Sequence, residues 1–269
     1  MKGEIIIFRG AGDIATGSIQ KLHRAGFRVI ACEIEKPTSI RRYVSLSEAV
    51  FDGETTVEDV TAKKCSDKNE VEKAWAEDKV AVIVDPELAI LEEIKPDIIV
   101  DGILAKKNLG TTKDMAPITI AIGPGFTAGV DVDIVVETKR GHDLGRLIFE
   151  GEPAPNSGAP GAIDGHTTDR VLYAPVEGKV KVLKDLGSVV EKGEVLAIVE
   201  GEEIRAKIPG IVRGMIRDGS YVTKGFKTGD VDPRVNPESV YTISDKARAV
   251  GGGTLEAVMI MLRKKNMDI

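Results

Sequence analysis

Along the middle of the chain, charged side chains recur beside glycines where apolar runs end. Asp101-Gly102-Ile103-Leu104-Ala105-Lys106 follows one run, Gly123-Pro124-Gly125 a second, and Glu137-Thr138-Lys139-Arg140-Gly141-His142-Asp143-Leu144-Gly145-Arg146 a third. Lys106, Arg140 and Arg146 would supply positive charge, and a guanidinium matches the paired oxygens of a phosphate or carboxylate. Glu137 and Asp131 would be acceptors. His142, flanked by glycine and close to Arg140, is the candidate acid/base group. His142, Arg140 and Lys106 are thus the expected catalytic residues. The chain has 3 histidines, and no His/Cys grouping has metal-ligand spacing, so no metal site is expected. It has neither a Gly-x-Ser-x-Gly elbow nor a Walker loop, which removes the serine-hydrolase and P-loop readings.

A second constellation lies near the start. Ile5–Phe8 is an apolar run, Gly10-Ala11-Gly12-Asp13-Ile14-Ala15 a glycine turn, and the stretch to Ala25 has helical character. Strand, glycine turn and helix together make an anion site, because glycines let a phosphate approach the N–H groups of the helix start. Glu33 lies about 20 residues on, at the end of a second apolar run, where a ribose-binding acid belongs. Asp13 caps the helix but would repel a pyrophosphate there. Arg9 offsets part of that repulsion, and Arg41 and Arg42 add donors beyond the second run. The expected ligand-binding set is therefore Arg9, Gly10, Ala11, Gly12, Asp13, Ile14, Ala15, Glu33, Arg41 and Arg42, with Gly123, Gly125 and Arg146. An anionic ligand, a nucleotide such as NAD(P) or a similar small phosphate-bearing molecule, is the expected cofactor.

The elements that must position these groups alternate in the α/β manner. Strands are expected at Ile5–Phe8, Val29–Glu33, Val80–Val84, Ile98–Val100, Ile118–Ile122 and Asp133–Glu137, and helices at Ile14–Ala25, Asn69–Glu77 and Pro86–Glu93. Near-continuous apolar strands suit a parallel sheet covered on both faces, with ligands outside the carboxyl ends. A Pro/Gly-rich stretch, Glu152 to Gly161, reads as a boundary. Beyond it Gly178-Lys-Val180 recurs as Gly210-Ile-Val212, and Gly187–Gly193 recurs as Gly219–Gly225, each offset by 32 residues. Two such copies should close on each other. From Asp245 the apolar spacing is helical, and Gly251-Gly252-Gly253-Thr254 is a minor candidate for a second helix-start anion site. The expected division is residues 1–165, 166–235 and 236–269.

The net charge of −6 argues against nucleic acid as partner. No apolar stretch is long enough to span a membrane. The N-terminus enters a strand at once, so no signal peptide is expected. Two cysteines, Cys32 and Cys65, make no disulfide framework, and a reduced, cytoplasmic setting is expected.

Ala174-Pro175-x-x-Gly178-x-Val180 with Gly187-x-x-Val190-x-x-Gly193 resembles the biotinyl/lipoyl-type barrel-sandwich domain over roughly residues 171–228. That family attaches its cofactor to a hairpin lysine; the matching hairpin here, Val199–Ile204, has none, so the swinging-arm role does not carry over. Taken together, Arg9–Gly17, Ile40-Arg-Arg42, Gly123–Phe126, Glu137–His142 and Pro155–Gly158 resemble the accessory proteins of selenium-dependent molybdenum hydroxylases, end to end. The resemblance implies a Rossmann-like parallel sheet domain, a small all-β barrel-sandwich hybrid domain and a C-terminal helix packing back on the first. It implies a role in maturation or cofactor supply of such a hydroxylase, with a nucleotide, molybdopterin or molybdenum-cofactor ligand and the hydroxylase or its maturation proteins as partners. An NAD(P)-dependent oxidoreductase and a non-enzymatic docking scaffold are the alternatives, and a homo-oligomer is compatible with each.

Overall fold

Short β-branched runs buried on both faces set the architecture. A computed structural model describes residues 3–156, 158 and 161–267; Ser157, Ala159 and Pro160 of the Pro/Gly-rich stretch lie outside them. The chain divides into two units: Met1–Pro37, Ser45–Asn156 and Ile243–Ile269 form one, Thr38–Val44 and Ser157–Thr242 the other.

The first unit begins with β1 (Ile5–Arg9), α1 (Asp13–Arg24) and β2 (Arg28–Glu33), then α2 (Ala49–Asp52), β3 (Glu54–Val57), β4 (Val60–Cys65), α3 (Lys68–Ala76) and β5 (Val80–Val84). It continues through β6 (Ile98–Asp101), β7 (Ile118–Ile122), β8 (Ile134–Val136) and β9 (Leu147–Ile148). The sheet order is β3-β4-β5-β2-β1-β6-β7-β8-β9. The chain leaves β1 for β2 on one side and reaches β6 on the other, so the topological switch lies between β1 and β6.

The expected Rossmann-like parallel sheet is corrected to a mixed one. β3 pairs antiparallel with β4 and β9 antiparallel with β8. Only Glu58 and Asp59 separate β3 from β4, and Glu58 has φ 55°; a turn this tight makes a hairpin and nothing else. The crossovers from β5 to β6 and from β6 to β7 carry short 3₁₀ turns in place of α-helices, and the connection from β7 to β8 is a loop. The helix expected over Pro86–Glu93 is one such turn, Ala89–Glu92, preceded by Leu88 in the left-handed region at φ 60°. Asp85 fixes it by accepting from the Ala89 and Ile90 amides, both at 2.9 Å.

In the second unit β10 (Val171–Tyr173), β11 (Gly178–Val182), β12 (Val189–Val190), β13 (Val195–Val199), β14 (Glu202–Arg205), β15 (Gly210–Met215), β16 (Tyr221–Val222) and β17 (Lys227–Asp232) precede α4 (Glu238–Tyr241). They form two antiparallel sheets, β10-β17-β15-β12 and β14-β13-β11-β16. The 32-residue repeat maps onto β11–β13 and β15–β17, and the copies exchange strands: β12 pairs with β15, and β16 with β11. Leu196, Val199, Val212, Met215 and Val231 fill the core. The barrel-sandwich expectation is corrected to these two sheets. β10 comes from outside the repeat and pairs with β17, so one sheet is not built from the repeat alone.

The chain ends in α5 (Asp245–Met267), which belongs to the first unit. Gly251–Gly253 do not start it: they sit inside it and allow close packing. A Cβ at Gly17 of α1 would stand 2.7 Å from the Ala247 carbonyl carbon, and one at Gly251 would stand 2.8 Å from that of Gly17. The Ser18 and Thr254 hydroxyls, both fully buried, meet at 3.0 Å across this contact. The second anion site considered at Gly251–Thr254 is therefore absent, because those amides are spent inside the helix.

Candidate functional site at the carboxyl edge of the first sheet

At the switch point the carboxyl ends of β1 and β6 are joined internally. Arg9 Nη1 donates to the Thr111 hydroxyl at 2.6 Å, and that hydroxyl donates to Asp101 Oδ2 at 2.6 Å. Arg9 Nη2 reaches the Leu109 carbonyl at 3.2 Å and the Pro86 carbonyl at 3.4 Å, and the Arg9–Asp101 ion pair spans 3.6 Å. Asp101 Oδ1 accepts from the Ile103 amide at 3.1 Å. Burial pushes the Asp101 carboxyl above its usual range, against the pull of Thr111, Ile103 and Arg9. This cluster fills the crevice in which an α/β sheet of this topology ordinarily receives a dinucleotide. Arg9 is a buried tie, with both terminal nitrogens engaged within the protein.

The glycine turn keeps its expected course but is closed by Glu33. The Ala11 amide donates to Glu33 Oε1 at 2.7 Å, and Ile34 donates to Oε2 at 3.0 Å. Glu33 thus stands where an anion would, and burial holds its carboxyl above the ordinary range despite both bonds. Gly10, at φ 87°, presses on the following loop, with Ile103 Cα 3.2 Å from where a Cβ would sit. A Cβ at Gly125 (φ 110°) would stand 2.6 Å from the Lys107 amide. Three strand-end loops therefore meet backbone to backbone, and Leu104 (φ 58°) and Lys106 (φ 64°) are left-handed within that contact. Gly123 is packed on Thr138, whose hydroxyl would lie 2.8 Å from a Cβ. Glu33→Gln is expected to change stability by less than about 1 kcal/mol at neutral pH, since the amide oxygen still accepts from Ala11 and the Ile34 amide, on an exposed residue, can turn to water when its acceptor becomes an NH2 group. A raised folded pKa means the wild type loses stability as pH climbs from the unfolded value through the folded one; the variant should lack that decline in urea titrations across mildly acid pH.

Open polar groups gather toward α5. Glu137, 5% exposed at the end of β8, accepts at 2.7 Å from the amides of Thr138, Lys139 and Ala154, and so anchors the Thr138–Arg146 loop. Arg140 pairs with Asp245 at 2.7 Å. Lys246, in the first turn of α5, is half-buried. Burial, and then the Arg140 guanidinium, push its ammonium below the usual lysine range, while Asp13, Glu137 and Asp245 pull the other way. Asp13, one of these carboxylates, is the first residue of α1, where its Oδ1 accepts from the Ile14 amide at 2.9 Å, so the start of α1 lies among the same charges. A cleft of about 310 Å³ beside Glu137 is lined by Asp143, Arg146 and Phe149, with Arg146 held to Asp143 at 3.1 Å. Gly145 (φ 84°) packs this loop on α5, where a Cβ would stand 2.7 Å from the Ala249 carbonyl oxygen.

Of the expected residues, Gly12, Asp13, Ile14, Arg140 and Arg146 remain on the open part of this edge, with His142 and Lys106 exposed on their loops. Ala15 is buried in α1. Arg41 and Arg42 belong to the second unit: Arg41 donates to the Ser239 and Thr242 carbonyls at 2.9 and 3.1 Å, and Arg42 to the Met215 carbonyl at 2.9 Å. Lys246 escaped the sequence reading. The signal was present in Ser244-Asp245-Lys246, a capping residue and charge pair ahead of the helical spacing, but the glycine triplet drew the start of the helix too late. Among the described residues no group of three or more His, Cys, Asp or Glu side chains is placed to hold a metal ion. No helix among them is long and apolar enough to cross a membrane.

The first unit is thus an open α/β sheet with its polar groups on the carboxyl edge. A curated relative, the uncharacterized protein YqeB of Escherichia coli (strain K12), is 50% identical over 261 residues. The match covers 97% of this chain but 48% of the relative, so the chain spans about half its length. No family model matches. Solved structures with similarity include the ectoine utilization protein EutE (DoeB) from Ruegeria pomeroyi, at 14% identity, 85% coverage of each chain and TM-score 0.25. An aspartoacylase family protein from Mesorhizobium loti shares 15% identity over 86% of this chain and 85% of its own, at TM-score 0.27. A succinylglutamate desuccinylase/aspartoacylase from Rhodobacter sphaeroides shares 16% over 86% and 85%, also at TM-score 0.27. Likeness at these scores transfers no chemistry to this chain.

These findings correct the family expectation. The relative is uncharacterized, the solved structures are named as an ectoine utilization protein and two aspartoacylase-type proteins, and none points to a selenium-dependent molybdenum hydroxylase or its maturation. The accessory role, with its molybdopterin-type ligand, is withdrawn. The oxidoreductase and scaffold alternatives are withdrawn with it; the closed glycine turn, with Glu33 on the Ala11 amide, removes the physical basis of the dinucleotide reading.

Proposed function

We propose that the first unit binds a small phosphate-bearing ligand at the carboxyl edge of its sheet, where Lys246 and Arg140 meet the start of α1. The observation that carries this is the setting of Lys246: its ammonium is half-buried in the first turn of α5, between the Arg140 guanidinium and the Asp13, Glu137 and Asp245 carboxylates, and burial holds it below the usual lysine range, a balance that a bound dianion would shift back toward the charged form. The carboxyl edge of a largely parallel sheet is where such ligands bind. In this reading Arg140 and Arg146 engage the ligand's oxygens, and Lys106 and His142 stand ready on adjoining loops for any proton transfer. Two free, buried cysteines, Cys32 and Cys65, support a cytoplasmic setting as part of the same proposal.

Calorimetric titration with pyrophosphate tests it. The wild type should bind, and Lys246→Met should bind at least about tenfold more weakly, the loss expected for one charge-assisted hydrogen bond. No heat of binding from the wild type would sink the proposal. The same variant has a second expected effect, opposite in sign. The folded pKa of Lys246 is lowered, so wild-type stability should rise as pH climbs through it toward the unfolded lysine value. Lys246→Met should therefore be the more stable protein at pH 7, with the difference shrinking as pH approaches about 10.

A further inference from the structure

At the opposite edge, the amino ends of β1, β2 and β5, two helix-to-strand turns enclose a cleft of about 330 Å³. One turn joins α1 to β2 through Gly26 and Phe27; the other joins α3 to β5 through Asp78 and Lys79. Arg28 and Trp75 stand in its wall. Trp75 Nε1 donates to the Val29 carbonyl at 3.1 Å, which fixes the indole. The Arg28 guanidinium carbon lies 5.0 Å from the Trp75 ring centre, a cation–π contact that holds the fork in place. Arg28 Nε donates to the Gly3 carbonyl at 2.8 Å.

Among the described residues, the charges around the cleft leave the Arg28 fork open. Lys79 is engaged by Glu54 at 2.5 Å and by Glu77 at 3.0 Å. His23 faces Asp78 at 3.7 Å. Among the helix-end carbonyls, whose partial negative charge opposes an anion, His23 accepts from Gly26 N at 2.9 Å and Ala74 from Lys79 N at 2.9 Å, so the guanidinium must outweigh what is left of it. Among the described residues, the terminal pair of nitrogens of Arg28 has no partner, and it is preset in direction by the bond at Nε and the indole. A guanidinium held this way matches a carboxylate through two parallel bonds. We propose that this cleft is a second ligand site, for a small carboxylate whose oxygens engage both terminal nitrogens of Arg28. It is independent of the phosphate site at the other edge.

Trp75 is the only tryptophan in the chain, so its fluorescence reports on this cleft alone. Benzoate is the probe, with chloride at matched ionic strength as the control. The full chain should give a saturable change in emission with benzoate and none with chloride. Arg28→Met should abolish it, and Arg28→Lys, which keeps the charge but loses the fork, should weaken it at least fivefold. Lys246→Met should leave it unchanged, so that failure of one site is read apart from failure of the other. Circular dichroism confirms folding, and if Arg28→Met does not fold, Arg28→Lys alone decides. Absence of a saturable change in the wild type, or saturation equal to the wild type in Arg28→Lys, overturns the proposal.

Discussion

Gly17→Ala should destabilise the first unit by about 2–3 kcal/mol, although alanine is the better helix former by about 1 kcal/mol. Position 17 lies inside α1 and its backbone suits any residue, so propensity alone predicts a gain. Packing decides the sign. The new methyl would stand 2.7 Å from the Ala247 carbonyl carbon and 2.8 Å from the Ala247 Cβ, and neither can swing away, because both are fixed to the backbone of α5. The helices must part, and the buried Ser18–Thr254 hydrogen bond must stretch with them. Urea denaturation of the variant gives the answer, and a stability equal to or above wild type would show that α1 and α5 do not approach as described. Because Lys246 sits one residue before Ala247, the same variant should also weaken pyrophosphate binding without touching the charges.

Asp101→Ala should cost about 3–5 kcal/mol, the penalty for leaving a buried cation without its partner. Asp101 is 2% exposed and Arg9 8%, so water cannot replace the lost carboxylate. Thr111 would lose its acceptor as well, and the Ile103 amide its own. The double variant Arg9→Met, Asp101→Leu should recover most of that loss, since an apolar pair of similar volume leaves nothing charged behind. Denaturant midpoints for the two singles and the double complete the cycle. Equal losses for Asp101→Ala and for the double would contradict the account of a self-contained ion pair.

The sequence made some of this plain and hid the rest for physical reasons. Apolar runs placed β1, β2 and β5 to β8, because strands buried on both faces leave an unbroken signal. β3 and β4 were missed: Glu54-Thr55-Thr56-Val57 and Val60–Cys65 are polar and half-exposed at the sheet edge. The glycine turn was placed correctly, but its use was not. Glu33 lies where a ribose acceptor would, and no spacing rule says that its carboxylate turns back to the Ala11 amide. Gly251–Gly253 looked like a helix start because glycine is poor inside helices; only the tertiary contact with Gly17 explains why it is tolerated. Lys246 became visible as a site residue once α5 was known to begin near Glu137 and Arg140, which is a property of the fold and not of the local sequence.

The most direct test is the pKa of the Lys246 amine itself, followed by NMR on the labelled, dimethylated protein with and without saturating pyrophosphate, and assigned with Lys246→Met. The account predicts that this amine titrates below the other lysines in the free protein and moves upward when the anion binds. An amine that titrates with the surface lysines, or that does not respond to pyrophosphate, would contradict it.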